Sequence, residues 1–159
     1  MLEQASREFS PFAAGPVEAN GDDPPFRILI VDDDVTTLAI LRLVAGRIGH
    51  CECEVESSPL AALARCQSDP PDLLVIDHVM PEMTGLTLLN SLRADPRTAA
   101  IACIAITGLH DEVLAELLRE RGVLRVFFKP LDIAAFRSEI VLARATLRTR
   151  QAREPLPHG

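Results

Sequence analysis

From Phe26 onward, short apolar runs alternate with stretches whose apolar residues recur three and four positions apart, a pattern that predicts a repeated β/α wind. Strands are expected over residues 27–31, 51–55, 73–76, 102–106 and 123–128. Four of these are continuous apolar runs, as parallel strands covered on both faces require. The run at 51–55 alternates with Glu52 and Glu54 and so belongs near a sheet edge. Between the strands lie helical stripes. Leu41, Val44, Ala45 and Ile48 follow a helical period, and Ser58 with Pro59 reads as a cap and first helical residue. Asp111 and Glu112 favour the start of a fourth helix, and Asp132 caps a fifth whose stripe is Ile133, Phe136, Ile140, Ala143 and Leu147. Parallel strands joined by helical crossovers give a doubly wound α/β sandwich, a five-stranded parallel sheet with five helices. Its ligand crevice lies beyond the carboxyl ends of the strands.

Composition narrows the setting. The chain has 159 residues, 48% of them hydrophobic, which suits one domain with tails. We expect that domain at 26–150, a disordered N-terminal arm rich in Pro and Gly at 1–25, and a flexible tail at 151–159. Phe9 and Phe12 read as solvated aromatics of the arm. A net charge of −7 works against direct nucleic-acid binding, which depends on cations neutralising phosphates. No apolar run reaches the roughly 18 residues of a membrane span, and no signal peptide is evident, so a cytoplasmic location is expected. The four cysteines are then reduced, and Cys51, Cys53 and Cys103 read as small core hydrophobes. Zinc on His50, Cys51 and Cys53 is disfavoured, because structural zinc takes four ligands at recognisable spacings.

The chemistry gathers at strand ends. Of 16 basic residues, Lys129 is the one lysine, and it closes the last apolar run just before Pro130. A compact ammonium suits a crowded pocket better than the wide fork of arginine. Asp32 and Asp33 end the first strand, Asp77 the third and Thr107 the fourth. Carboxylates brought together there repel by about 4 kcal/mol per pair at about 4 Å, so one ammonium is not enough and a cation is implied. Oxygen ligands in a sparse, wet site select Mg²⁺. A carboxylate beside such a cation and an ammonium can attack a phosphoryl group, and Asp77 is the candidate nucleophile.

These residues resemble a known family, the receiver domain of two-component response regulators, with the CheY-like, flavodoxin-like fold. The resemblance covers about residues 26–150 and rests on Ile30-Val31-Asp32-Asp33-Asp34, the run from Asp77 through Met80-Pro81 to Gly85, Ala105-Ile106-Thr107-Gly108, and Phe127-Phe128-Lys129-Pro130. It implies that Asp77 is the phosphoacceptor and Asp33 a direct Mg²⁺ ligand. Asp32 acts largely through water, and the Val79 backbone carbonyl completes the protein's ligands. Thr107 senses the phosphoryl group and Lys129 pairs with it, and the peptide before Pro130 is cis in relatives. One departure stands out. Receivers commonly place an aromatic residue three positions before the lysine, where this chain has Val126.

Other readings attach to the same residues. Asp34 reads as the cap of the first helix. His78 points away from Asp77 along the strand and reads as a rim or partner-facing histidine. The arginines of the last helix and tail, Arg137, Arg144, Arg148, Arg150 and Arg153, read as a solvated basic end or a docking surface. Asp32 to Thr36 also fits the D-x-D-x-T pattern of haloacid-dehalogenase-type phosphatases, with Asp32 as nucleophile and Asp34 as acid, but that leaves Asp77 unexplained. A third alternative is an interaction module that needs no phosphorylation. The expected protein is a stand-alone receiver with no output domain after residue 150. Its partners would be a sensor histidine kinase or histidine phosphotransfer protein and a downstream target protein. The target would be met through the fourth helix, fifth strand and fifth helix, a surface that also suits a homodimer. Relay to another histidine, docked on Ile40 and Leu43 of the first helix, is the second choice.

Overall fold

The computed structural model describes residues 21–154. Most of the expected arm, including Phe9 and Phe12, and the tail from residue 155 lie outside the described residues. The strands are β1 (Phe26–Val31), β2 (Cys51–Glu56), β3 (Leu73–Asp77), β4 (Ala102–Thr107) and β5 (Arg125–Phe128). They form one sheet in the order β2-β1-β3-β4-β5, and every pairing is parallel. Each strand is followed by a helix: α1 (Val35–Gly46), α2 (Pro59–Ser68), α3 (Gly85–Ala94), α4 (Glu112–Glu120) and α5 (Ile133–Arg153).

Strand periodicity divides the core in two. Successive side chains face opposite sides of the sheet. Thus Ile28, Ile30, Leu73, Val75, Ile104, Ile106 and Phe127 pack with Leu38 and Leu41 of α1 and Phe136 and Ile140 of α5. Their strand neighbours Leu29, Val31, Leu74, Ile76, Cys103 and Ala105 pack with α2, α3 and α4 through Cys66, Leu88, Leu92, Leu114 and Leu118. Strand β2 lies at one edge of the sheet, and it keeps Glu52 and Glu54 exposed while Cys51, Cys53 and Val55 are partly covered. All four cysteines are free thiols, and burial pushes Cys53 and Cys66 up to about 11 and Cys103 up to about 12.

The caps form as the sequence implies. Ser58 Oγ accepts from the amide of Ala61, with Pro59 at the first helical position. Asp111 accepts from Val113 and Leu114, and Asp132 from Ala135. Boundaries differ in three places. Strand β5 begins at Arg125 instead of Val123, because the Val123 amide is spent on the Leu118 carbonyl in closing α4, while its side chain packs under that helix. Helix α1 ends at Gly46, so Ile48 is buried from the loop that follows it. Helix α5 runs to Arg153, beyond the boundary at 150. Gln151-Ala152-Arg153 favours helix, and Glu154 turns extended before Pro155, as a residue preceding proline does. Its first residue, Ile133, lies outside the buried stripe at 39% exposure. Among the described residues no helix is long and apolar enough to cross a membrane.

One glycine sets how closely α3 approaches β3. A Cβ on Gly85 would lie 2.5 Å from the Asp77 carbonyl oxygen and 2.9 Å from the His78 Cα, and neither backbone atom can rotate away. The Gly85 amide meanwhile donates to the His78 carbonyl at 2.9 Å. We therefore expect Gly85→Ala to lower stability by about 1–3 kcal/mol as an overpacking change. Urea unfolding followed by circular dichroism measures this, since the chain has no Trp or Tyr to report by fluorescence. An unchanged midpoint would contradict the close approach.

Candidate functional site

Register brings the strand-end groups together. Val31 pairs with Ile76, so the next residues, Asp32 and Asp77, emerge side by side. Asp77 pairs in turn with Ile106, and Thr107 with Phe128, so Thr107 and Lys129 leave the sheet just beyond. Asp32, Asp33 and Asp77 each offer a carboxylate oxygen within 4.8 Å of the others. The Lys129 ammonium stands 3.5 Å from Asp32 Oδ2 and 3.4 Å from Asp77 Oδ1. The four residues expected from sequence to meet in one crevice do so, and Thr107 borders it.

Their environments differ. Asp32 and Asp77 are buried, at 2% and 4% exposure, whereas Asp33 faces solvent. Burial pushes the Asp32 carboxyl above its ordinary range, against the Asp34 amide donating to Oδ1 at 2.9 Å and the nearby Lys129 charge. Burial also lifts Asp77, and the neighbouring Asp32 carboxylate adds to it while Lys129 offsets part. For Lys129, burial alone would lower the value, but Asp77 and Asp32 together outweigh it and hold the ammonium charged. Asp77 Oδ1 has no hydrogen-bond partner despite the ammonium nearby. A buried, unpaired carboxylate oxygen beside a solvent-facing carboxylate fits a hard divalent cation, whose ligands are oxygens and water. Val79, two residues on, exposes its side chain at this rim.

The surrounding loops hold these groups by short hydrogen bonds. The Thr107 side chain is fully buried, and its hydroxyl accepts from the Leu109 amide at 3.0 Å. The Lys129 amide donates to the Thr107 carbonyl at 2.9 Å, and the Lys129–Pro130 peptide is cis. Asp34 caps α1, accepting from the Thr36 amide and the Thr37 hydroxyl. That commitment to the cap removes the free acid which the phosphatase pattern assigns to this residue. Val126 is half-buried on the α4 side, and Phe127 packs edge-on against Phe136 on the other.

Three placements were not visible in the sequence. His78 is half-buried against α3, its Nδ1 accepting from the Leu86 amide at 3.4 Å, and burial lowers its pKa. It serves the start of α3 where a rim histidine was expected. His110 stacks on Phe128 with ring centroids 5.1 Å apart, and its Nε2 lies 3.0 Å from the Lys129 carbonyl oxygen. Of the basic residues of α5, Arg144 binds the Gly49 carbonyl and Arg148 the Pro24 carbonyl, while Arg137, Arg150 and Arg153 remain exposed. Periodicity describes which face a residue is on, but these contacts depend on where a second element lies.

Comparison with known proteins gives a consistent set of relatives. Residues 28–141 match the family described as the response regulator receiver domain. The chain is 35% identical to a protein-glutamate methylesterase/protein-glutamine glutaminase of Anaeromyxobacter dehalogenans, a match over 82% of this chain and 40% of that protein. It is 27% identical to a probable chemotaxis protein CheY of Rhizobium etli, over 72% of this chain and 88% of the relative. Among solved structures, a response regulator of Chloroflexus aurantiacus aligns with a TM-score of 0.67 at 30% identity, over 76% of this chain and 99% of that one. The signal receiver domain of a LuxO repressor from Vibrio parahaemolyticus shares the fold with a TM-score of 0.74 at 21% identity, covering 82% and 98%. The chain spans about two-fifths of the length of the methylesterase relatives it matches.

The charge balance makes a direct prediction. Because the folded pKa of Asp77 lies above the ordinary value of 3.8, its contribution to stability is full below that value and is lost as pH rises through the raised one. In metal-free protein at neutral pH, Asp77→Asn should therefore melt a few degrees higher than wild type, the gap closing toward acid pH. A divalent cation should raise the wild-type melting temperature and leave that of the variant nearly unchanged. Equal melting curves across pH would remove the electrostatic account of the site.

Proposed function

The chain belongs to the response regulator receiver domain family, and from that premise we propose that Asp77 accepts a phosphoryl group from a phosphohistidine in a Mg²⁺-dependent reaction. The observation that carries this is the buried Asp77 Oδ1, unpaired in hydrogen bonding and facing both the Lys129 ammonium and the Asp32 and Asp33 carboxylates. In the transfer, an Asp77 carboxylate oxygen attacks phosphorus and the phosphorus–nitrogen bond of the donor breaks. The imidazole leaves with the electron pair and takes up a proton, and an acyl phosphate remains on Asp77. Lys129 pairs with one phosphoryl oxygen, and the Thr107 hydroxyl turns from accepting the Leu109 amide to donating toward another. Asp33, Asp77 and the Val79 carbonyl, with Asp32 acting through water, would hold Mg²⁺, whose charge offsets that of the phosphoryl oxygens.

Output by binding to another protein is the preferred reading. Movement at Thr107 reaches the turn into α4 first, and that turn and the start of the helix expose apolar side chains, Leu109 at 47% and Val113 at 71%. A phosphorylated state acts on a partner only through differential affinity for the two states. Exposure of Ile40 at 48% and Leu43 at 56% on α1 supports relay to a second histidine as the runner-up, since these side chains project beyond the buried stripe of that helix.

Incubation with acetyl phosphate and Mg²⁺ should label Asp77, giving a hydroxylamine-labile adduct that Asp77→Asn lacks. Labelling of Asp77→Asn at the wild-type rate would overturn the assignment, and labelling lost only in Asp32→Asn would favour the phosphatase chemistry. By calorimetry, Asp33→Asn should weaken Mg²⁺ binding by tenfold or more, on the order of 1.4 kcal/mol, because a sparse site has few substitute ligands. Undiminished affinity would rule Asp33 out as a ligand.

A further inference from the structure

The segment from Thr107 to His110 grips the backbone of Lys129 on both its polar groups. On one side the Thr107 carbonyl accepts from the Lys129 amide at 2.9 Å. On the other, His110 Nε2 lies 3.0 Å from the Lys129 carbonyl oxygen, an arrangement in which the ring nitrogen donates, since a carbonyl only accepts. Stacking on Phe128, with the two planes 18° apart, fixes the ring's orientation for that bond. The same segment is tied to the Thr107 side chain, whose hydroxyl accepts from the Leu109 amide. The next residue after His110 is Asp111, the cap of α4. One short stretch therefore contacts the hydroxyl of Thr107, the backbone of Lys129 and the start of α4.

We infer that His110 is a positioning residue that couples Thr107 to Lys129 and to the start of α4. The inference rests on the reading of Asp77 as phosphoacceptor and adds to it the route by which the site moves the surface. When the Thr107 hydroxyl turns to the phosphoryl group, it releases the Leu109 amide, and the loop must shift. His110 cannot follow without pulling on the Lys129 carbonyl or letting go of it, so the two strand ends and the α4 cap change together. Histidine supplies both requirements at once. A flat ring stacks on Phe128, and a ring N–H at its far edge reaches the carbonyl. The ring is exposed, so its replacement leaves both cores intact.

Two variants separate the functions. His110→Phe keeps a ring to stack but has no donor, and His110→Gln keeps a donor without the ring. Backbone amide chemical shifts are recorded with Mg²⁺ alone and after adding beryllofluoride, a phosphoryl mimic on Asp77. In wild type the mimic should move the amides of Gly108 and Leu109 together with those of Lys129 and Leu131. In His110→Phe the response at Gly108 and Leu109 should persist while that at Lys129 and Leu131 falls at least about twofold, and His110→Gln should recover part of it. A wild-type response at all four amides in His110→Phe would overturn the inference alone. A uniform loss over all four would do the same, because that is what a merely structural contact predicts. No response in wild type would overturn the reading of Asp77 and this inference with it.

Discussion

Two buried carboxylates share one ammonium, and much of the molecule can be understood as the means of holding that imbalance. Asp32 and Asp77 stand next to each other because parallel register leaves them no alternative once Val31 pairs with Ile76. Two negative charges against one positive leave a deficit that the protein's own donors do not fill, as the unpaired Asp77 oxygen records. Such a site costs stability while nothing sits in it, and that cost is what turns binding of a cation or a phosphoryl group into a driving force. The two apolar layers supply the stability against which the deficit is set.

The site's precision comes from backbone, more than from side chains reaching across space. Every reactive group lies within two residues of a strand end, so its position is inherited from the sheet. Loops then tighten the arrangement. Asp34 fixes Asp32 by its amide, Gly85 lets α3 press against the end of β3, and the turn after β4 clasps Lys129. Arg93 does similar work at the opposite ends of the strands, binding the carbonyls of Ala99, Ile101 and Arg121 and so tying α3 to the entry of β4 and the end of α4.

Local rules account for the parts that could be read from the chain. The continuous apolar runs and the alternating run at β2 follow from burial on two faces or one, and Ser58, Asp111 and Asp132 cap as their chemistry demands. Lys129 and the acids were legible because each ends an apolar run, and strand ends in this architecture converge. What stayed hidden depends on contacts between distant elements. Val123 looks like strand by composition, yet its amide is needed by α4. His78 looks solvent-facing by alternation, but α3 returns over it. The arginines of α5 look uniformly solvated, but two of them meet carbonyls nearly a hundred or more positions earlier in the chain. No periodicity encodes such meetings.

The Arg148 contact has an architectural consequence. It joins the end of α5 to Pro24 and Asp23, while His50 reaches the Asp23 carbonyl from the turn before β2. The described chain therefore enters and leaves at the same pole, where the strands begin, and the acids and Lys129 open at the other. A unit wired in this way behaves like a cartridge: it can be joined to other machinery at its base without obstructing the mouth. Relatives in which the shared portion is only two-fifths of the protein are in keeping with that geometry.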